Sequence, residues 1–196
     1  MRFVFGFILA LAAVGASNVE YFPAGSLGET PRLHQFMADW YSKHLAAMQE
    51  PSIWQISRQK PADEVYRFLY LRSFHHPISV RIAVASDGTG LLISKETNGR
   101  GGYQPGALIR NTAEKLTRNE TQRFRDTLDH FGFWKLPTRG GPGGCDGAEW
   151  IVEASKDGRY QLVDRWSPPP SDPIHSLGMM FMTDLAHFKL LHEDVY

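Results

Sequence analysis

Apolar positions along this chain recur with two periods, and each period names an element. Leu33, Phe36, Met37, Trp40, His44, Leu45 and Met48 return every three to four residues, which predicts an amphipathic helix. Thr30 stands where an N-cap belongs, Pro31 at the first helical position, and Glu50-Pro51 at the exit. His44 on this stripe reads as a satisfied packing residue. Residues 64 to 72 (EVYRFLYLR) and 78 to 85 (ISVRIAVA) are rich in aromatic and β-branched types and predict two strands. A third strand follows Asp87-Gly88; a two-residue turn there sets Val84 opposite Leu91 and Ile82 opposite Ile93, with Arg81 and Ser94 sharing the other face. Asn98 to Gly106 carries too much Gly and Pro for a regular element. Thr117 and Glu120 form a capping box for a second helix whose apolar face is Phe124, Leu128 and Phe131, closed by Gly132.

A second hairpin is predicted across Asp157-Gly158 from residues 149 to 155 and 159 to 166. That turn fixes the register: Trp150 faces Arg165 and Val152 faces Val163, while Glu149, Ile151, Glu153, Leu162, Asp164 and Trp166 lie on the opposite side. Trp150 is expected to be buried. The other side reads as a charged, solvent-facing surface on which Glu153→Gln alters melting little. Pro168-Pro169-Pro170 ends the strand, and Leu177, Met180, Phe181, Leu185, Phe188 and Leu191 predict a closing helix. The sum is an α+β domain: an antiparallel sheet of about five strands covered by N-terminal, central and C-terminal helices, most of the cover coming from the first and last.

The first residues obey neither period. Arg2, the continuous apolar run Phe3 to Val14 and the small-residue end Val14-Gly15-Ala16 have the pattern of a secretory signal peptide over residues 1–16. The run is short of the roughly 20 residues that span a bilayer. Cleavage before Ser17 leaves an exposed lead-in, 17–29, and a single domain, 30–196, expected to be periplasmic or secreted and without a membrane span. Lys+Arg and Asp+Glu balance at 21 each, so there is no cationic footprint for nucleic acid. Cys145 is the sole cysteine, so no intramolecular disulfide supports the fold; 12 Phe, 7 Tyr and 5 Trp supply the material for a core instead.

Three stretches carry a resemblance: Phe133-Trp134-Lys135-Leu136-Pro137, Asp146-Gly147-Ala148-Glu149-Trp150-Ile151-Val152-Glu153, and Tyr160-Gln161-Leu162-Val163-Asp164-Arg165-Trp166-Ser167-Pro168. Their D-G-x-x-W-x-x-E and Y-x-x-V-x-R-W-S-P patterns resemble an uncharacterised family of exported bacterial proteins. The resemblance implies export and a single domain, and it assigns no chemistry.

Candidate chemistry gathers on the second hairpin and the loop before it. Glu149, Glu153 and Asp164 share a face with Trp166, and Asp146 precedes it; neighbouring carboxylates suit acid–base work or a hard cation, although Arg67, Arg72 and Arg81 are available to pair with them. Arg100 and Arg139 lie in the two Gly-rich loops and would clamp an anion if those loops converged. Cys145 is a candidate nucleophile that lacks a sequence-fixed histidine. The Gly-rich segment 139–147 has no Gly-Lys-Ser/Thr ending, there is no G-x-S-x-G elbow, and His187 and His192, five apart, do not share a helical face. No metal and no cofactor are expected. The sequence therefore points to an exported, non-enzymatic binding or interaction domain with a protein partner in the cell envelope. A periplasmic hydrolase using the carboxylate-rich hairpin or Cys145 is the alternative.

Overall fold

The computed structural model describes residues 19–190 and 195–196. The signal-peptide expectation, Leu191 and His192 lie outside the described residues. Strands β1 (Glu64–Arg72), β2 (Ile78–Val84), β3 (Gly90–Thr97), β4 (Leu108–Leu116), β5 (Arg139–Gly140), β6 (Ala148–Lys156) and β7 (Arg159–Trp166) form one sheet in the order β4-β3-β2-β1-β6-β7-β5. All neighbours are antiparallel except β5, which runs parallel to β7. The fold is α+β as expected, with seven strands in place of about five and a mixed sheet in place of an antiparallel one.

The two additional strands are both edges, and this explains their silence in the sequence. β4 reads LIRNTAEKL and is exposed along most of its length, so no apolar alternation marks it; such polar, charged strands blunt a sheet edge against further pairing. β5 is two residues long and joins through its backbone, Asp164 N donating to Thr138 O at 2.7 Å.

Helices cover both faces. On one side lie α1 (Pro31–Ala47), capped by Thr30 with Pro31 inside its first turn, and α2 (Ile53–Gln59), capped by Ser52. Their core is Met37, Tyr41, Leu45 and Met48 against Leu69, Leu71, Ile151 and Leu162. Tyr21, Phe22 and Leu27 join it, so the segment expected as an exposed lead-in is anchored by three buried apolar side chains. On the other side α3 (Arg118–His130), which has the predicted capping box, packs Phe124 and Leu128 beside α4 (Pro173–Met179). A π-helical turn follows over Met180–Leu185. The predicted closing helix is thus cut short: Thr183 Oγ1 takes the Met179 carbonyl at 2.7 Å, and His187 adopts a positive φ of 51°.

Turn chemistry set one hairpin register as predicted and shifted the other. Asp157 and Gly158 both have positive φ, 52° and 70°, as a two-residue type I′ turn requires, and Trp150 faces Arg165. At Asp87-Gly88 only Gly88 is left-handed, because Asp87 turns its carboxylate onto the Thr89 N–H and hydroxyl, at 3.0 and 2.7 Å. The connection becomes one residue longer. Val84 therefore faces Gly90, Ile82 faces Leu92 and Arg81 faces Ile93. Ser94, opposite Val80, lies on the α3 face and away from Arg81, which corrects the predicted pairing.

Candidate functional site

With both sheet faces covered, β6 is buried over eight of its nine residues. Ala148, Trp150, Val152 and Ala154 enter the α3-side core, and Trp150 is fully buried, stacked against His175 and beside Phe68 and Tyr70. Glu149, Glu153 and, from β7, Asp164 point to the other side as the period of two requires, but α1 and α2 cover that side. The surface expected to be solvent-facing is a buried polar layer that divides into two clusters.

Around Glu153 every charge is answered. Arg67 on β1 donates to Glu153 Oε2 through Nε at 3.0 Å and through Nη2, and Tyr160 donates to Oε1 at 2.8 Å. Arg67 also reaches the Pro51 carbonyl at 2.6 Å and lies 3.8 Å from Glu50, which binds Arg81 at 2.8 Å and Lys95 at 2.9 Å. Burial pulls the Arg67 guanidinium down, yet Glu153 and Glu50 together hold it above its ordinary value. This network ties α1's exit to five strands, and Glu153 lines neither lobe of the cleft described below. Of the arginines expected to meet these acids, Arg67 pairs with Glu153, while Arg81 pairs with Glu50.

Glu149 and Asp164 are diagonal neighbours across the β6–β7 ladder, where Ile151 faces Asp164 and Glu149 faces Trp166. A proton on one of the two carboxyl groups lets them hydrogen-bond to each other. Burial first, and then the charge of Asp164, pushes Glu149 up to about 9. Burial raises Asp164 as well, against the hydrogen bond from Glu149 and the pull of Arg139. Tyr41 donates to Asp164 Oδ2 at 3.1 Å, and burial followed by the two acids drives that phenol well above its ordinary value. Oδ1 of Asp164 is buried without a conventional donor.

The pair forms the floor of a cleft with two lobes of about 570 and 430 Å³, in the size range of small-molecule sites. Ser26, Glu29 and Leu33 wall the inner lobe opposite Thr138–Gly143; Phe36, Trp40, Lys43 and Ser73 wall the outer lobe opposite Gly144 and Cys145. Arg139, Gly143, Glu149 and Trp166 belong to both. Arg139 is set by β5 opposite Asp164 and donates to Leu27 O at 2.9 Å. Segment 141–147 crosses the half-buried Trp166 so closely that a Cβ at Gly144 or Gly147 would enter the indole; at Gly147 it would lie 2.6 Å from Cζ2.

Of the predicted residues, then, Arg139, Glu149, Asp164 and Trp166 come together. Glu153 belongs to the closed ion network, and Asp146 and Arg100 are exposed and line neither lobe. The two Gly-rich loops do converge, through Gly102, but Arg100 turns away; its loop is pinned by Trp40 Nε1 on Gly101 O at 2.7 Å and by Gly101 N on His75 O at 3.0 Å. Tyr41, Trp40, Phe36, Lys43 and Glu29 were missed. Tyr41 had a legible signal, since it extends the α1 stripe from Met37 and carries a hydroxyl that needs a buried partner.

Cys145 is exposed and lines the outer lobe, and among the described residues no histidine lines either lobe. His44 is buried as expected, but neither ring nitrogen completes a hydrogen bond; burial and then Lys43 hold it neutral, down to about 4, against the Gly101 backbone. Separately, His75 and His76 border a cavity with Arg72 and Arg110, His75 meeting the Tyr196 hydroxyl and His76 meeting Glu96, both at 2.8 Å. Among the described residues no three His, Cys, Asp or Glu side chains are arranged to hold a metal ion, and no helix is long and apolar enough to cross a membrane. No protein-family model matches the chain, and no curated protein matches its sequence.

Proposed function

We propose that this is an exported binding protein that takes a small polar ligand into the cleft between α1 and segment 138–147. The observation that carries the reading is the Glu149–Asp164 pair. Two facing carboxyls on a covered sheet face oppose folding, no cation closes around them as Arg67 closes around Glu153, and they open onto a cleft. Arg2, the Phe3–Val14 run and Val14-Gly15-Ala16 support delivery to the periplasm or the medium, as does the resemblance to exported proteins. A protein partner in the envelope is the other form of the same reading, favoured by the exposed Phe36, Phe74 and Tyr103.

One arrangement favours the hydrolase alternative: Glu149, pushed towards its protonated form, stands beside a second carboxyl, Asp164, in one cleft, the pairing that acid–base work uses. Cys145 adds nothing to it, since no histidine in either lobe is placed to take the thiol proton.

The test is a thermal-shift screen of the mature chain against saccharides, amino acids, polyamines and dicarboxylates. One class is expected to raise the melting temperature of the wild type and not of Asp164→Asn. If none does, and an envelope protein binds wild type and Asp164→Asn equally, the cleft is not the site. Turnover of a screened ester, amide or glycoside that Glu149→Gln abolishes would make the protein an enzyme.

A further inference from the structure

The geometry points to a neutral saccharide as the occupant of this cleft, with a sugar ring stacked on Trp166 and two of its hydroxyls meeting the Glu149 and Asp164 carboxyl groups. The inference rests on the cleft being the binding site and adds the chemical class.

Charge is the first argument. Arg139 and Lys43 line the cleft together with Glu29 and the Glu149–Asp164 pair, so side chains of both signs stand in it. A cationic ligand on the pair would approach Arg139, and an anion on Arg139 would approach the pair. An uncharged ligand meets neither obstacle.

Hydrogen-bonding capacity is the second. The floor offers donors and acceptors side by side: the Glu149 and Asp164 carboxyl groups, of which Asp164 Oδ1 is buried and has no donor of its own, and the Arg139 guanidinium beyond its bond to Leu27 O. A hydroxyl both donates and accepts, so adjacent hydroxyls match adjacent donors and acceptors in a way that a carboxylate or an ammonium does not.

Shape is the third. Trp166 lines both lobes and is held along one edge by the backbone of Gly144 and Gly147, so it is a fixed platform. Trp40 spends its N–H on Gly101 O and offers the outer lobe ring surface, continued by Phe36 at a ring separation of 6.2 Å. Flat aromatic walls over a polar floor suit a ring whose faces carry C–H groups and whose rim carries hydroxyls. Two lobes joined at Trp166 accommodate more than one such ring.

Calorimetric titration of the mature chain decides the matter. The probes are neutral gluco-, xylo- and N-acetylglucosamine oligomers, an oligouronate, a polyamine and a dipeptide. A neutral oligomer is expected to bind at millimolar concentration or better. Asp164→Asn should weaken it at least tenfold, and Phe36→Ala, whose side chain is too exposed to hold up the core, about threefold; Arg100→Ala should bind as wild type does. Binding of a charged probe alone, lost in Asp164→Asn, would overturn the saccharide and leave the cleft standing. Binding of none would overturn both, and so would neutral binding that Asp164→Asn and Phe36→Ala leave unchanged.

Discussion

Glu149 and Glu153 are four residues apart on one strand, on the same face, and buried to similar degrees, 7% and 0% exposed. Their surroundings differ in one respect. Glu153 meets a guanidinium held by two further partners, so its charge is answered where it stands. Glu149 meets another carboxyl, and burial beside that charge pushes it towards its protonated form. Burial alone therefore does not set the state of an acid; the partner does, together with whether space opens beside it.

The comparison breaks most visibly from the Arg67 side. Arg67→Met leaves Glu153 and Glu50 buried without their shared cation and is expected to cost about 3–5 kcal/mol in urea unfolding. Trp150→Ala, on the opposite face between the two acids, sets the scale for a pure packing loss, about 3–5 kcal/mol in the same measurement. Glu153→Gln is expected to cost about 1.5–3 kcal/mol, because it removes a charged hydrogen-bond partner from a buried guanidinium. That replaces the small effect expected while this face read as solvent-exposed.

Glu149→Gln should move stability the other way at neutral and alkaline pH. The folded value near 9 lies above the ordinary 4.5, so between those limits the unfolded chain has released a proton that the folded chain keeps. The stability this proton confers is complete below about pH 4.5 and drains as pH rises towards 9, by at most about 1.4 kcal/mol per unit. Tyr41 from α1 and Arg139 from β5 face the pair, and Arg165 on β7 acts on Asp164 by its charge from the opposite sheet face. Melting temperature against pH should fall over this window in the wild type and flatten in Glu149→Gln. Equal slopes would mean that Glu149 is ionised. Cys145→Ser, in the outer lobe, should shift unfolding by less than about 0.5 kcal/mol.

Much of this was legible in the chain. The type I′ turn at Asp157-Gly158 and the period of two place Glu149, Glu153, Asp164 and Trp166 on one face without any structure. The cover over that face was not legible. Alternating glutamates read as solvated, and nothing local shows that Tyr41 and Tyr21, far away in sequence, close over them. The same limit hid Arg67 as Glu153's partner until β1 was seen to pair with β6, where the two stand directly opposite. At Asp87 a side chain chose between two turns that the Asp-Gly pair allows equally, and one residue of register followed.

The most direct test is a carbon-detected NMR titration of the Glu149 side-chain carboxyl, assigned through Glu149→Gln. The account predicts a protonated carboxyl at pH 7 that titrates near about 9, and that ionises at lower pH in a variant whose Asp164 is replaced by Asn. A Glu149 carboxylate already ionised at pH 7 and titrating near 4.5 would contradict it.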